Sequence, residues 1–269
     1  MSETPSAPWR AVADALSGGS ADAIGLSGSA RGLAARRMLE PGTGRRALLA
    51  VAPDEEEADL LARDLAFFLG DGAPGAPAVV RIPADPVLPY DDLSPDRGLE
   101  MDRLSALARL HLSGAEVRAV VVSARGLARR YVPRAELGRH LELLGKGVTV
   151  DRDALARRLV ELGYARVPLV EDPGTFAVRG SVVDVWSPLH ERPVRLELFG
   201  DEVESARAFE PGTQRSLGDV EELVVVQARE APFTVEGKAA AVRAVRELAE
   251  KVDRPTSKVR EVLDTPRVR

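Results

Sequence analysis

The sequence contains no cysteine. Disulfides, thiolate metal sites and cysteine nucleophiles are therefore excluded at once. Histidine is almost as scarce. His111, His140 and His190 are scattered along the chain, so a histidine-built metal centre is not expected. Aromatic residues make up 4% of the chain against 45% hydrophobic residues in all, so its core has to be built from leucine, valine and alanine. Basic charge is short as well. The 37 Lys and Arg are outnumbered by 42 Asp and Glu, a net charge of −5. A chain with that balance is not, as a whole, a nucleic-acid-binding surface. No apolar run approaches the length of a membrane span and none reads as a signal peptide, so a soluble, cytoplasmic protein is expected.

What is present falls into two rhythms. The 269 residues suit one large domain or two to three small ones. After a loose leader over 1–8, Trp9–Leu16 reads as a short amphipathic helix. Strands are expected at Asp22–Leu26, Arg46–Val51, Ala78–Ile82 and Val117–Val122. The run RALLAV over 46–51 has the composition of a strand buried on both faces of a parallel sheet. Helices are expected over Arg31–Leu39, from Pro53 through Leu69, and over Leu99–Leu110. Pro53 suits a first helical turn, and Asp54, Glu55, Glu56 and Glu57 sit at the positive end of the helix dipole. Strands alternating with helices are the signature of a doubly wound α/β fold.

The rhythm changes near Arg130. A helix over Asp151–Leu162 is followed by a stretch from Glu171 to Leu217 that reads as consecutive antiparallel strands. Gly174, Gly180, Gly200, Gly212, Pro188, Pro193 and Pro211 mark its turns. Helical patterning returns over Val235–Lys251 and Pro255–Leu263. The expected organisation is an α/β domain over 1–129, a smaller α+β insert over 130–228 and a return to the α/β domain over 229–269. Residues 264–269 bring no apolar closure, so a fragment of a longer protein is expected.

Two stretches invite a chemical reading. Gly25-Leu26-Ser27-Gly28-Ser29-Ala30-Arg31-Gly32 stands where a phosphate-binding loop belongs, between a first strand and its helix. A working loop has the form Gly-x-x-x-x-Gly-Lys-Ser/Thr, in which the lysine reaches the phosphates and the hydroxyl binds magnesium. Aligned on Gly25, this chain has Ala30, Arg31 and Gly32 at those three positions. The loop reads as degenerate and is not expected to bind nucleotide, although Ser27, Ser29 and Arg31 retain some capacity for a weakly held anion.

The second stretch is Val194-Arg195-Leu196-Glu197-Leu198-Phe199. Side chains alternate in a strand, so Val194, Leu196 and Leu198 share an apolar face, while Arg195, Glu197 and Phe199 share the other. An arginine beside an aromatic on a wet face is the composition of a protein–protein hot spot. The other reading is that Phe199 turns into a neighbouring core. Leu198-Phe199-Gly200-Asp201-Glu202 reads as a hairpin turn rather than a magnesium site. Tyr90-Asp91-Asp92 reads as solvated carboxylates on a loop. No nucleophile has a plausible base beside it.

Several motifs together resemble one family. They are Leu88-Pro-Tyr90-Asp91-Asp92-Leu-Ser94-Pro95, Gly174-Thr-Phe176-Ala-Val-Arg179-Gly180 with Asp184 and Pro188, Pro193-x-Arg195-x-Glu197-x-Phe199-x-Asp201-Glu202, and Phe209-x-Pro211-x-Thr213-Gln214-Arg215-Ser216. The chain resembles the N-terminal region of bacterial transcription-repair coupling factors, whose architecture is shared with the excision-repair protein UvrB. The resemblance implies a helicase-like parallel-sheet domain interrupted by a UvrA-binding insert, with Arg179, Arg195 and Phe199 at the family's UvrA-contact positions. It also implies a non-catalytic adaptor that recruits UvrA to stalled RNA polymerase at damaged DNA. The segments that bind ATP and magnesium and that contact RNA polymerase would lie elsewhere in the parent chain, leaving this fragment with no cofactor and no tight hold on DNA. The alternative is an ATP-dependent UvrB-like repair helicase subunit. The two are separated by Ala30-Arg31-Gly32 in place of Gly-Lys-Ser/Thr, and by a loop after Pro95 too short for UvrB's DNA-inserting hairpin.

Overall fold

A computed structural model describes residues 22, 24–39, 47–70, 72, 77–86, 96–231 and 235–252. The chain is a mixed α/β protein in two compact units, Met1–Arg139 and His140–Arg269. The expected helices at Trp9–Leu16 and Pro255–Leu263 and the Tyr90-Asp91-Asp92 loop lie outside the described residues.

The first unit is built on a three-stranded parallel sheet. Its strands are β1 (Leu48–Ala52), β2 (Val79–Ile82) and β3 (Ala119–Ser123), in the order β1-β3-β2. α1 (Ala30–Met38) precedes β1, α2 (Glu55–Leu69) and α3 (Arg97–Ser113) run between the strands, and short helices α4 (Ala124–Leu127) and α5 (Arg134–Arg139) follow β3. The helix starts follow from side-chain chemistry. Asp54 accepts from the Glu57 N–H at 2.9 Å and Asp96 from the Leu99 N–H at 2.9 Å, each taking up a backbone donor the first helical turn leaves free. Pro53 thus precedes the cap instead of opening the helix. Ala58 and Leu65 of α2 pack with Ala52, Ala119 and Val121, while Ala106 of α3 packs with Val80, Ile82 and Val117.

Two expectations for this unit fail. Among the described residues of the stretch Asp22–Leu26, where a strand is expected, none is in a strand. Residues 24–26 are irregular and Ile24 is almost fully exposed. The run over 46–51 supplies β1 only from Leu48, and that strand is not buried on both faces. Among the described residues β1 lies at the edge of its sheet, and Leu49 and Val51 are exposed. Composition reports that a strand is apolar; what packs on each of its faces, a non-local property, decides whether it is covered.

In the second unit a six-stranded sheet runs β10-β9-β8-β7-β6-β5. Its strands are β5 (Ala165–Arg166), β6 (Thr175–Arg179), β7 (Val182–Trp186), β8 (Val194–Phe199), β9 (Glu202–Phe209) and β10 (Ser216–Asp219). β6 to β10 form an antiparallel meander, and β5 adds in parallel to β6. A two-stranded antiparallel ribbon pairs β4 (Glu142–Gly145) with β11 (Glu222–Val225). Helix α6 (Arg152–Glu161) is capped by Asp151, which accepts from the Ala154 N–H at 2.5 Å, and α7 (Val235–Lys251) closes the described chain. One face of the large sheet is the main core. Phe176, Val183, Val185, Val194, Leu196, Val203 and Ala206 are all buried there. Among the described residues no helix is long and apolar enough to cross a membrane.

Candidate protein-interaction face

The opposite face of the large sheet carries the candidate site. Residues paired directly across antiparallel strands point to the same side. Ala177, Asp184, Arg195 and Arg207 form one such row, and Arg179, Val182, Glu197 and Ser205 form the next. Phe199 lies two residues beyond Glu197 on β8. A register shift between Glu197 and Leu198 places the irregularity on β9, so the alternation of β8 itself is unbroken.

This face is covered at one end and open at the other. At the covered end, Phe209 and Ala177 are buried with Val170, against Val167 and Trp186. The loop before β10 is fastened there by Gln214, whose Nε2 donates to the Pro211 carbonyl at 2.7 Å and to the Val170 carbonyl at 3.2 Å. Gln214 holds a φ of 59°, left-handed backbone that a non-glycine residue adopts only when its surroundings fix it.

At the open end, Phe199 is 81% exposed. That decides between the two sequence readings: the ring lies outside the core of this unit. Arg179 is about half exposed, at 49% of its side chain. It precedes Gly180, whose φ of 60° makes the tight turn between β6 and β7. Arg152, at the start of α6, donates to the Gly180 carbonyl at 2.7 Å and steadies that turn.

Arg195 stands between the two ends and differs from what its sequence position promised. Only 18% of its side chain is exposed. Its Nε donates to Asp184 Oδ1 at 2.7 Å and its Nη2 to Asp184 Oδ2 at 2.9 Å, a two-pronged grip on one carboxylate. Nη2 also donates to Gln214 Oε1 at 3.3 Å, and the guanidinium carbon sits 4.6 Å from the centre of the Phe209 ring. The hydrogen bond that Arg195 donates to Asp184 is the largest influence raising the Arg195 pKa; burial opposes it and the nearby charges of Asp184 and Glu197 reinforce it. Asp184 itself is 1% exposed and takes a third donor, Arg179 Nη2 at 2.6 Å. The arginines expected to project together are thus joined through a buried carboxylate. Asp184 was not legible as a functional residue, although a carboxylate inside Val182-Val183-Asp184-Val185 is a signal that something must neutralise it.

In the first unit, the Gly25–Gly32 stretch has a structural account for two of its departures from a phosphate loop. Gly25 and Gly28 adopt φ of 83° and 53° ahead of α1. Arg31 pairs with Glu57 at 2.6 Å. Gly32 faces α2, where an added Cβ would fall 2.8 Å from the Asp64 Cβ. The glycine there lets two helices approach. At the carboxyl end of β2, Arg81 donates to Glu55 Oε2 at 2.6 Å and to Asp59 Oδ1 at 2.9 Å, and the Ala84 N–H also donates to Glu55 at 3.0 Å. Burial alone would push the Glu55 carboxyl up. The hydrogen bonds from Ser123, Ala84 and Arg81, with the Arg81 charge, outweigh it and hold the group below 4.5.

An exposed aromatic beside a half-exposed arginine is the composition of a protein-interaction face. Comparison with known families agrees: residues 143–230 match the family described as UvrB interaction domain. Over 262 residues, 97% of this chain, the sequence is 47% identical to the transcription-repair-coupling factor of Myxococcus xanthus, of which it covers 22%. It is 32% identical to that of Escherichia coli over 68% of this chain and 15% of the relative, and 30% identical to that of Bacillus subtilis over 82% and 18%. The chain belongs to the transcription-repair-coupling factor family, as its module carrying the UvrB interaction domain. It spans about a fifth of the length of the relatives it matches.

Proposed function

We propose that this chain is a non-catalytic recruitment module that binds UvrA through the open end of the β6–β9 face, with Arg179, Arg195 and Phe199 forming or supporting the contact. The observation that carries this reading is the exposed Phe199 ring on a strand whose alternate residues are buried. Large aromatics flanked by arginine are the residues that dominate binding energy at protein interfaces. In the parent protein the module would bring UvrA to RNA polymerase stalled at damage, while ATP and magnesium are handled by other segments. Within this chain the helicase-like α/β domain over 1–129 and 229–269 is interrupted by the binding insert over 130–228. Arg31 is engaged by Glu57 and Gly32 is packed on α2, which supports a fragment without nucleotide chemistry of its own. The acidic balance supports one without tight hold on duplex DNA. The test is calorimetric titration of the purified chain with UvrA, with ATP–magnesium and with duplex DNA. Saturable binding of UvrA alone is expected. Absence of UvrA binding, or magnesium-dependent ATP binding, would refute the reading.

A further inference from the structure

The three residues assigned to the interface are not equivalent in the fold. Arg179 and Phe199 are open to solvent, but Arg195 is not. Its Nε and Nη2 are committed to Asp184, Nη2 also to Gln214, and Phe209 lies against its guanidinium. The guanidinium's other edge is turned to Gln214 as well, with Nη1 donating to the Gln214 carbonyl at 3.4 Å and Nη2 to its Oε1 at 3.3 Å, so neither edge is left to fork onto a partner. What it does offer is an anchored anion. Asp184 is held by Arg195 with both oxygens engaged, and one of those oxygens receives Arg179 Nη2 at 2.6 Å. A half-exposed arginine loses much of its rotamer freedom when one donor is fixed at its inner side, so less is left to be lost on binding. We propose that Arg195 is a positioning residue: with Asp184 as the link and Gln214 and Phe209 as its backing, it presets Arg179, and Arg179 is the arginine that touches the partner.

This rests on the proposed UvrA-binding face, and the experiment separates the two. UvrA affinity is measured calorimetrically for the full chain carrying Arg179→Ala, Arg195→Ala and Asp184→Asn, singly and with Arg195→Ala or Asp184→Asn placed in Arg179→Ala and Phe199→Ala backgrounds. Arg179→Ala alone should weaken binding at least about tenfold, as truncation of an interface anchor does. Arg195→Ala and Asp184→Asn should each weaken it about fivefold or more in the wild-type and Phe199→Ala backgrounds, but less than about twofold once Arg179 is gone, because residues acting as one unit are not additive. General loosening of the domain would instead weaken binding in every background. Should Arg195→Ala not fold, Asp184→Asn, which keeps the shape of the carboxylate, carries the same comparison. Equal losses with and without Arg179 would show Arg195 acting by another route and overturn the proposal. A chain in which Arg179→Ala binds normally would overturn the interface itself, and the positioning role with it.

Discussion

Arg195 on β8 and Asp184 on β7 are direct cross-strand partners, and the guanidinium closes on the carboxylate with contacts of 2.7 and 2.9 Å. The pair sits at the boundary between the covered and open ends of one sheet face. It therefore bears on both the stability of the domain and the shape of the proposed binding face.

The stability consequence is direct. Removing one partner of a buried pair leaves the other charged and unpaired, at a cost of about 3 kcal/mol. Asp184→Ala strands Arg195 and frees Arg179, so chemical denaturation should show a loss of that size. A loss below about 1 kcal/mol, within what ordinary surface substitutions reach, would mean the pair is not what holds these strands in place.

Phe199→Ala should do the opposite. The ring is exposed, so truncation should change stability by no more than about 0.5 kcal/mol while lowering UvrA affinity at least about tenfold. A clear drop in melting temperature would show that the ring is part of the core after all.

Gly32→Ala pits two effects against each other. Alanine improves an interior helix position by about 1 kcal/mol over glycine. The new Cβ meets the Asp64 Cβ at 2.8 Å and backbone close behind it, not a flexible side-chain end, and overpacking costs about 1–3 kcal/mol. Net destabilisation of about 1 kcal/mol is expected by thermal or urea unfolding. Stabilisation would mean that α1 and α2 separate easily.

Acid should act on Glu55. Its folded pKa is lowered from 4.5, so the stability it contributes is present above the unfolded value and lost as pH falls through the folded one. The wild-type chain should lose stability from about pH 5 downward more steeply than Glu55→Gln does. Parallel acid limbs for the two proteins would exclude Glu55 as a source of that dependence.

How much of this was readable without coordinates depends on how local each feature is. The alternation over Val194–Phe199 is local, and it correctly separated the buried Val194, Leu196 and Leu198 from the exposed Phe199. Helix starts at Asp54, Asp96 and Asp151 follow from a side chain and a backbone N–H three residues away, so their positions were legible to within a few residues. The partner of Arg195 was not, because Asp184 reaches it only through the pairing of β7 with β8. Gly32 was read as a missing magnesium ligand, whereas its space is set by Asp64 on another helix. The exposure of Leu49 and Val51 on β1 was hidden for the same reason.

The most direct test of the recruitment account is calorimetric titration of UvrA into the wild-type chain and into an Arg179→Ala/Phe199→Ala variant under identical salt, with melting temperatures taken in parallel. Saturable binding is predicted for the wild type, with a loss of about thirtyfold or more in a variant that melts at the same temperature. A variant that folds like the wild type and binds UvrA equally well would contradict the account.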